Sequence, residues 1–211
     1  MLARGTTSLS KGEFAETVDS MGANYTGHSD REFTSFGMQV HKGDCGRAVS
    51  LLGDALCNPS LNAAEFGLLK DEVSAEHELG HTRYEETTLE SCHFNVYREH
   101  MIGQPVKGDR DMTQEIQLDD LRNYMSANYY GDNTVIVATG EVDHKQIVDA
   151  VEQAFASMPK STDVPTSNTE RPIYIPAILM MRDDEMINSN VGIFYDAPSA
   201  KDEDFYAFQV L

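Results

Sequence analysis

Four short polar signatures divide this chain into helices before any other pattern is considered. Ser10 with Glu13, Asn62 with Glu65, Thr82 with Glu85 and Asp143 with Gln146 each place a capping residue three positions ahead of an acid or amide. Such a pair satisfies backbone N–H groups that the first helical turn leaves orphaned, so each marks a helix start. Behind Ser10, Phe14, Val18 and Met21 form an apolar stripe that stops near Gly22. Asp44 opens a further helix carrying Ala48, Val49, Leu51, Leu52, Ala55 and Leu56, which Asn58-Pro59 ends. Leu118, Leu121, Tyr124 and Met125 share one face of a helix over about 118 to 129, and the helix after Asp143 runs to about Met158.

Between these helices the period changes. Residues 24 to 29 and 32 to 40 read as two strands around Ser29-Asp30-Arg31, with Phe36, Met38 and Val40 alternating onto one buried face. Thr134 to Thr139 (TVIVAT) is a continuous apolar run between Asn133 and Gly140, expected as a strand covered on both faces. Residues 100 to 112 form a loop, and 158 to 170 are linker-like. Two more strands, near 173 to 181 and 190 to 196, are expected to rejoin the sheet, and an apolar helical pattern closes the chain at Leu211.

The 211 residues suffice to bury a core without staple or metal. Basic residues number 16 and acidic ones 35, a net charge of −19 that repels phosphate backbones and argues against nucleic acid as a partner. The same field favours cationic peptides, although most surface carboxylates serve only solubility. Three cysteines, Cys45, Cys57 and Cys92, match neither a disulfide framework nor a paired Cys-x-x-Cys zinc site, and a reducing compartment fits them. No apolar run approaches the roughly 18 residues of a membrane span.

His77-Glu78-Leu79-Gly80-His81 matches His-Glu-x-x-His, in which two imidazoles one helical turn apart hold zinc and the Glu acts as base. Its surroundings do not support it. The longer form of that motif needs Gly and then His where this chain has Tyr84 and Thr87, and Gly80 with Thr82 reads as one helix ending and another beginning. The plainer reading is a pair of surface histidines at a helix end. No Gly-x-Ser-x-Gly elbow, Cys-His pair or Gly-rich phosphate loop stands out.

A wider pattern carries more weight. Met1 to Thr6 (MLARGT) resembles the residues that follow an inverted zinc motif, His-x-x-Glu-His, in pitrilysin-like metallopeptidases. Ser20 to Thr34 (SMGANYTGHSDREFT) resembles the helix end, substrate-side strand and turn of the branch holding the mitochondrial processing peptidase and the cytochrome bc1 core subunits. In the same register Ala48-Val49, Leu51-Leu52, Asp71, Glu76, His93 and Tyr97 fall on similar family positions, as does Gly131 to Gly140 (GDNTVIVATG).

The resemblance implies an α+β fold, with a mixed sheet and helices packed mainly on one face. Residues 1 to 157 would form most of one peptidase-like domain lacking its N-terminal zinc motif, and 158 to 211 a linker, two returning strands and the start of a helix. It implies Glu76 as the one zinc ligand within the chain, the motif's second His falling immediately before Met1, and it identifies no catalytic residue here. The expectation is therefore a piece of a longer subunit.

Two departures bear on activity. Active members carry a second Glu two helical turns before the ligand, where this chain has Leu69, although Glu72 is geometrically placed to substitute. They also carry Asn-Ala where this chain has Thr26-Gly27, on the strand to which an extended peptide would add. The implied role is a core scaffold subunit of the bc1 complex, at the matrix side of the mitochondrial inner membrane. Its partners would be a homologous subunit and the membrane-embedded cytochrome subunits. The alternative is the zinc-bearing subunit of an active processing peptidase, cleaving basic presequence peptides.

Overall fold

The computed structural model describes residues 1–80, 83–161, 172–184 and 187–210. Helix α1 (Lys11–Ser20) begins with the expected capping box, Ser10 accepting from the Glu13 backbone while the Glu13 carboxylate accepts from the Ser10 backbone. Strands β1 (Asn24–Ser29) and β2 (Thr34–Gln39) pair antiparallel with Tyr25 opposite Met38 and Gly27 opposite Phe36. Their turn is set by Asp30, whose Oδ1 accepts from the N–H groups of Glu32 at 2.7 Å and Phe33 at 2.8 Å.

Helix α2 (Cys45–Cys57) follows a short 3₁₀ turn, Lys42–Asp44. Asp44 sits at its N-cap without a side-chain cap bond and pairs instead with Arg47 at 2.9 Å. Asn62 Oδ1 then accepts from Ala64 N at 2.8 Å and opens α3 (Ala63–Gly80). Next come α4 (Tyr84–Val96), α5 (Arg110–Glu115), α6 (Leu118–Asn128), α7 (His144–Ala154) and α8 (Phe205–Val210). Asp143 caps α7 through Gln146 N at 2.9 Å. Arg83 stands at the N-cap of α4, and the expected Thr82 cap lies outside the described residues.

The chain divides into two compact units, Met1–Ala75 with Arg110–Thr169, and Glu76–Asp109 with Glu170–Leu211; the division falls inside α3. In the first unit Phe14, Met21, Leu51 and Ala55 make the core, with Val18, Tyr25 and Met38 packed against it. Burying Phe14 alone contributes about 2–3 kcal/mol. It is the centre of the stripe read from α1, and its ring meets Tyr25 edge-on at 5.9 Å. The other face of α2, through Leu52 and Leu56, joins Phe36, Met38, Val135 and Val137 around a cavity of about 1090 Å³. In the second unit Val96 is buried, His93 stacks edge-on against Phe194 at 5.3 Å, and Tyr97 meets Tyr174 at 6.3 Å.

The α+β character is as expected, and among the described residues the paired sheet is the β1–β2 hairpin. Thr134 to Thr139 joins no strand among the described residues, and Val135 and Val137 are 87% and 77% exposed. Their backbone groups have no partner among the described residues, and without one the run is not a strand and neither face is covered. Residues 173 to 181 and 190 to 196 likewise form no ladder among the described residues. What ties their unit together is Ile175 N donating to Val96 O at 3.0 Å and Tyr174 Oη donating to Phe194 O at 2.8 Å. No helix among the described residues is long and apolar enough to cross a membrane.

Candidate functional site: the acidic face of the third helix

Glu65, Leu69, Glu72 and Glu76 recur at helical spacing along α3 and therefore lie on one stripe. The start of the chain is fastened to that stripe. Arg4, whose side chain is only 15% exposed, places Nη1 3.3 Å from Glu65 Oε2 and Nη2 on Glu72 Oε2. Lys11 Nζ reaches the same Glu65 oxygen at 3.1 Å. The hydrogen bond from Lys11, and then Arg4, hold the Glu65 carboxyl below its ordinary range.

The residues after Arg4 explain how it is held. Gly5 has φ +109°, and a Cβ there would stand 3.0 Å from Leu9 O and 3.1 Å from Lys11 N, so only glycine fits. Thr6 is buried. Its hydroxyl accepts from Leu9 N at 3.0 Å, its N–H donates to Leu9 O at 2.8 Å, and it bridges to Pro59. Thr7 N donates to Asn58 O at 2.8 Å and Ser60 N to Gly5 O at 3.1 Å, binding the segment to the end of α2. Asp54 on α2 is buried enough to favour its neutral form. The hydrogen bonds it accepts from Ser8, Thr6 and Asn58 outweigh that, and its pKa is lowered.

Glu76 itself is exposed, one turn beyond Glu72 on the same helix, with no hydrogen bond or ion pair among the described residues. Leu69 is half-buried on the stripe. Glu72 is engaged with Arg4 and so is not a free substitute for the acid that Leu69 replaces. Among the described residues no three His, Cys, Asp or Glu side chains stand close enough to hold a metal ion. One exposed carboxylate does not fit a zinc site by itself, and no step is derived through zinc.

The His-Glu-x-x-His reading falls partly outside the described residues, because His81 follows the last residue of α3. His77 lies on α3 with Nε2 shielded and unpaired among the described residues, while Glu78 is exposed. His93 and Tyr97 serve packing: besides its stacking, His93 Nδ1 lies 3.0 Å from Leu89 O. In β1, Thr26 Oγ1 is 3.5 Å from Gly37 O, and a Cβ on Gly27 would make only ordinary contact with Phe36 at 3.7 Å. Cys45, Cys57 and Cys92 are free and half-buried, and burial pushes the Cys57 thiol up. What the sequence reading missed is the Arg4 bridge. Its partners lie 61 and 68 residues away, and no signal local to MLARGT points to them.

Residues 1–110 match the family profile "Insulinase (Peptidase family M16)", and residues 115–211 match "Peptidase M16 inactive domain". The chain is 26% identical over 206 residues to the mitochondrial-processing peptidase subunit beta of Neurospora crassa, covering 96% of this chain and 43% of that protein. It is equally 26% identical over 210 residues to the human cytochrome b-c1 complex subunit 1, covering 98% and 43%. It thus spans less than half the length of these curated relatives. Among solved structures, a protease from Helicobacter pylori superposes with a TM-score of 0.71 at 19% identity, over 81% of this chain and 42% of that one. Pitrilysin gives 0.70 at 16% identity, over 82% and 19%.

Proposed function

The chain belongs to peptidase family M16, and from that premise we propose that it serves as a core scaffold subunit of the mitochondrial cytochrome bc1 complex. The observation that carries this reading is the α3 stripe. Of its acidic positions one is leucine, Leu69, and two, Glu65 and Glu72, are held by Arg4. Only Glu76 is left as a free carboxylate on the stripe, so the acid that Leu69 replaces has no free substitute there. The stripe then works as an ion-paired seam holding the start of the chain to α3. On this reading residues 1 to 157 form most of one peptidase-like domain. The subunit would sit on the matrix side of the inner membrane beside a homologous subunit and the membrane-embedded cytochrome subunits.

A second reading is favoured by the position of Glu76 and by the charge of −19. Here the chain is part of the zinc-bearing subunit of a processing peptidase. Glu76 would be a metal ligand, and basic presequence peptides would be drawn into an acidic surround and pair along β1 at Thr26-Gly27. Zinc, held with ligands outside this chain, would supply an activated water.

Zinc content and cleavage of a basic presequence peptide by the protein separate the readings. The scaffold role expects no cleavage, a zinc content unchanged by Glu76→Gln, and co-migration with the bc1 complex in native gels. Cleavage that disappears in Glu76→Gln together with the zinc would establish the peptidase. Zinc lost only in His77→Ala would instead restore the His-Glu-x-x-His site.

A further inference from the structure

We propose that Arg4 is a structural clamp: its guanidinium pins the first residues of the chain to Glu65 and Glu72 on α3. The inference goes beyond either role, since it concerns how residues 1 to 9 are held to the first part of α3 and not what Glu76 does. Three independent constraints converge on it. The guanidinium divides its two Nη atoms between Glu65 and Glu72, which lie two helical turns apart, so it clamps a length of helix and not a single side chain. Its backbone cannot swing away, because Gly5 turns at a φ of +109° with no room for a side chain, and the buried Thr6 is bonded to Leu9 and bridged to Pro59. On the other side, Arg4 N donates to Met1 O at 2.9 Å, which folds the first residues back over the same place.

A rigid turn on one side and a two-point ion pair on the other make a lever of fixed length between the end of α2 and α3. An ordinary surface ion pair between two flexible side chains contributes little, because ordering them costs entropy. Here the backbone is already ordered by the glycine turn and the threonine, and the arginine is mostly shielded from water. Lysine reproduces the device only in part, since its ammonium lacks the planar fork that presents two Nη atoms in a fixed geometry.

The test is amide hydrogen exchange on the 211-residue chain, with the α7 amides as internal reference. Arg4→Gln is expected to raise exchange about ten-fold in residues 2 to 9 and 64 to 75 while leaving α7 unchanged. Arg4→Lys is expected to recover only part of the protection. Should Arg4→Gln fail to fold, Glu72→Gln and the unmodified chain at 0.05 against 0.5 M salt give the same readout, with the same two segments loosening. Exchange that stays the same, that rises uniformly through α7, or that Arg4→Lys restores in full overturns the proposal. The measurement needs no metal, so a failed latch is distinguishable from a failed reading of Glu76.

Discussion

Two apolar runs of the first unit meet opposite ends. The stripe of α1 and α2 is closed: Phe14, Leu51 and Ala55 are 3%, 5% and 1% exposed. The run from Thr134 to Thr139 is at least as apolar, yet Val135 and Val137 stand 87% and 77% exposed. Hydrophobicity alone does not bury a segment. A helix satisfies its own backbone and then needs only a neighbour for one face, whereas an extended run needs another extended chain before burial ceases to cost hydrogen bonds.

The contrast is broken most directly at its closed end. Phe14→Ala is expected to cost about 3–5 kcal/mol in urea unfolding, because it removes the ring at the middle of the cluster and its edge contact with Tyr25. A loss below about 1 kcal/mol would mean that the α1–α2 core is no better consolidated than the open run.

The next largest effect tests how tightly that core is fitted. A Cβ on Gly53 would lie 2.6 Å from Ala154 O and 2.7 Å from Ala154 Cβ, so α2 and α7 approach backbone to backbone at this point. Gly53→Ala forces them apart, and about 1–3 kcal/mol of destabilisation is expected. Alanine otherwise favours a helix over glycine, so a stabilising result would show that α7 gives way freely.

These positions also show what the sequence could disclose. The caps at Ser10, Asn62 and Asp143, and the stripe of Phe14, Val18 and Met21, were legible because a helix writes its rules within four residues of itself. The hairpin at residues 24 to 39 was legible for the same reason, its turn chemistry lying at Asp30. The apolar run of Thr134 to Thr139 predicts a covered strand, but composition cannot name a distant partner. The family pattern points to Glu76 and Leu69, but it carries no sign of the engagement of Glu72, since Arg4 stands 68 residues away. Gly53 gave no signal at all, its meaning lying in Ala154.

A smaller effect belongs to the cap of α1. Ser10→Ala is expected to cost about 1 kcal/mol at neutral pH. The cost should depend on pH with a definite sign. Hydrogen bonds from the Ser10 backbone and then its side chain lower the Glu13 pKa in the folded chain. A depressed carboxyl contributes stability above its unfolded value, near 4.3, and loses it as pH falls through the folded value. Thermal melts of the two proteins should therefore converge on acidification. A gap that widened towards low pH would contradict the box.

The smallest effect is expected at the open end, and its smallness is informative. Val137→Thr keeps the β-branched shape while adding a hydroxyl, a change that overturns the packing of a buried core. Because Val137 is mostly exposed and its backbone has no partner among the described residues, the substitution should fall within about 0.5 kcal/mol of the unmodified chain. The same pair, compared in the presence of a homologous family subunit, then asks a sharper question. If a further extended segment pairs with residues 134 to 139 there, the threonine hydroxyl becomes buried and the cost should rise to about 1–3 kcal/mol. An equal and negligible cost in both would show that the run stays open, and the contrast with α2 would be a permanent property of this fold.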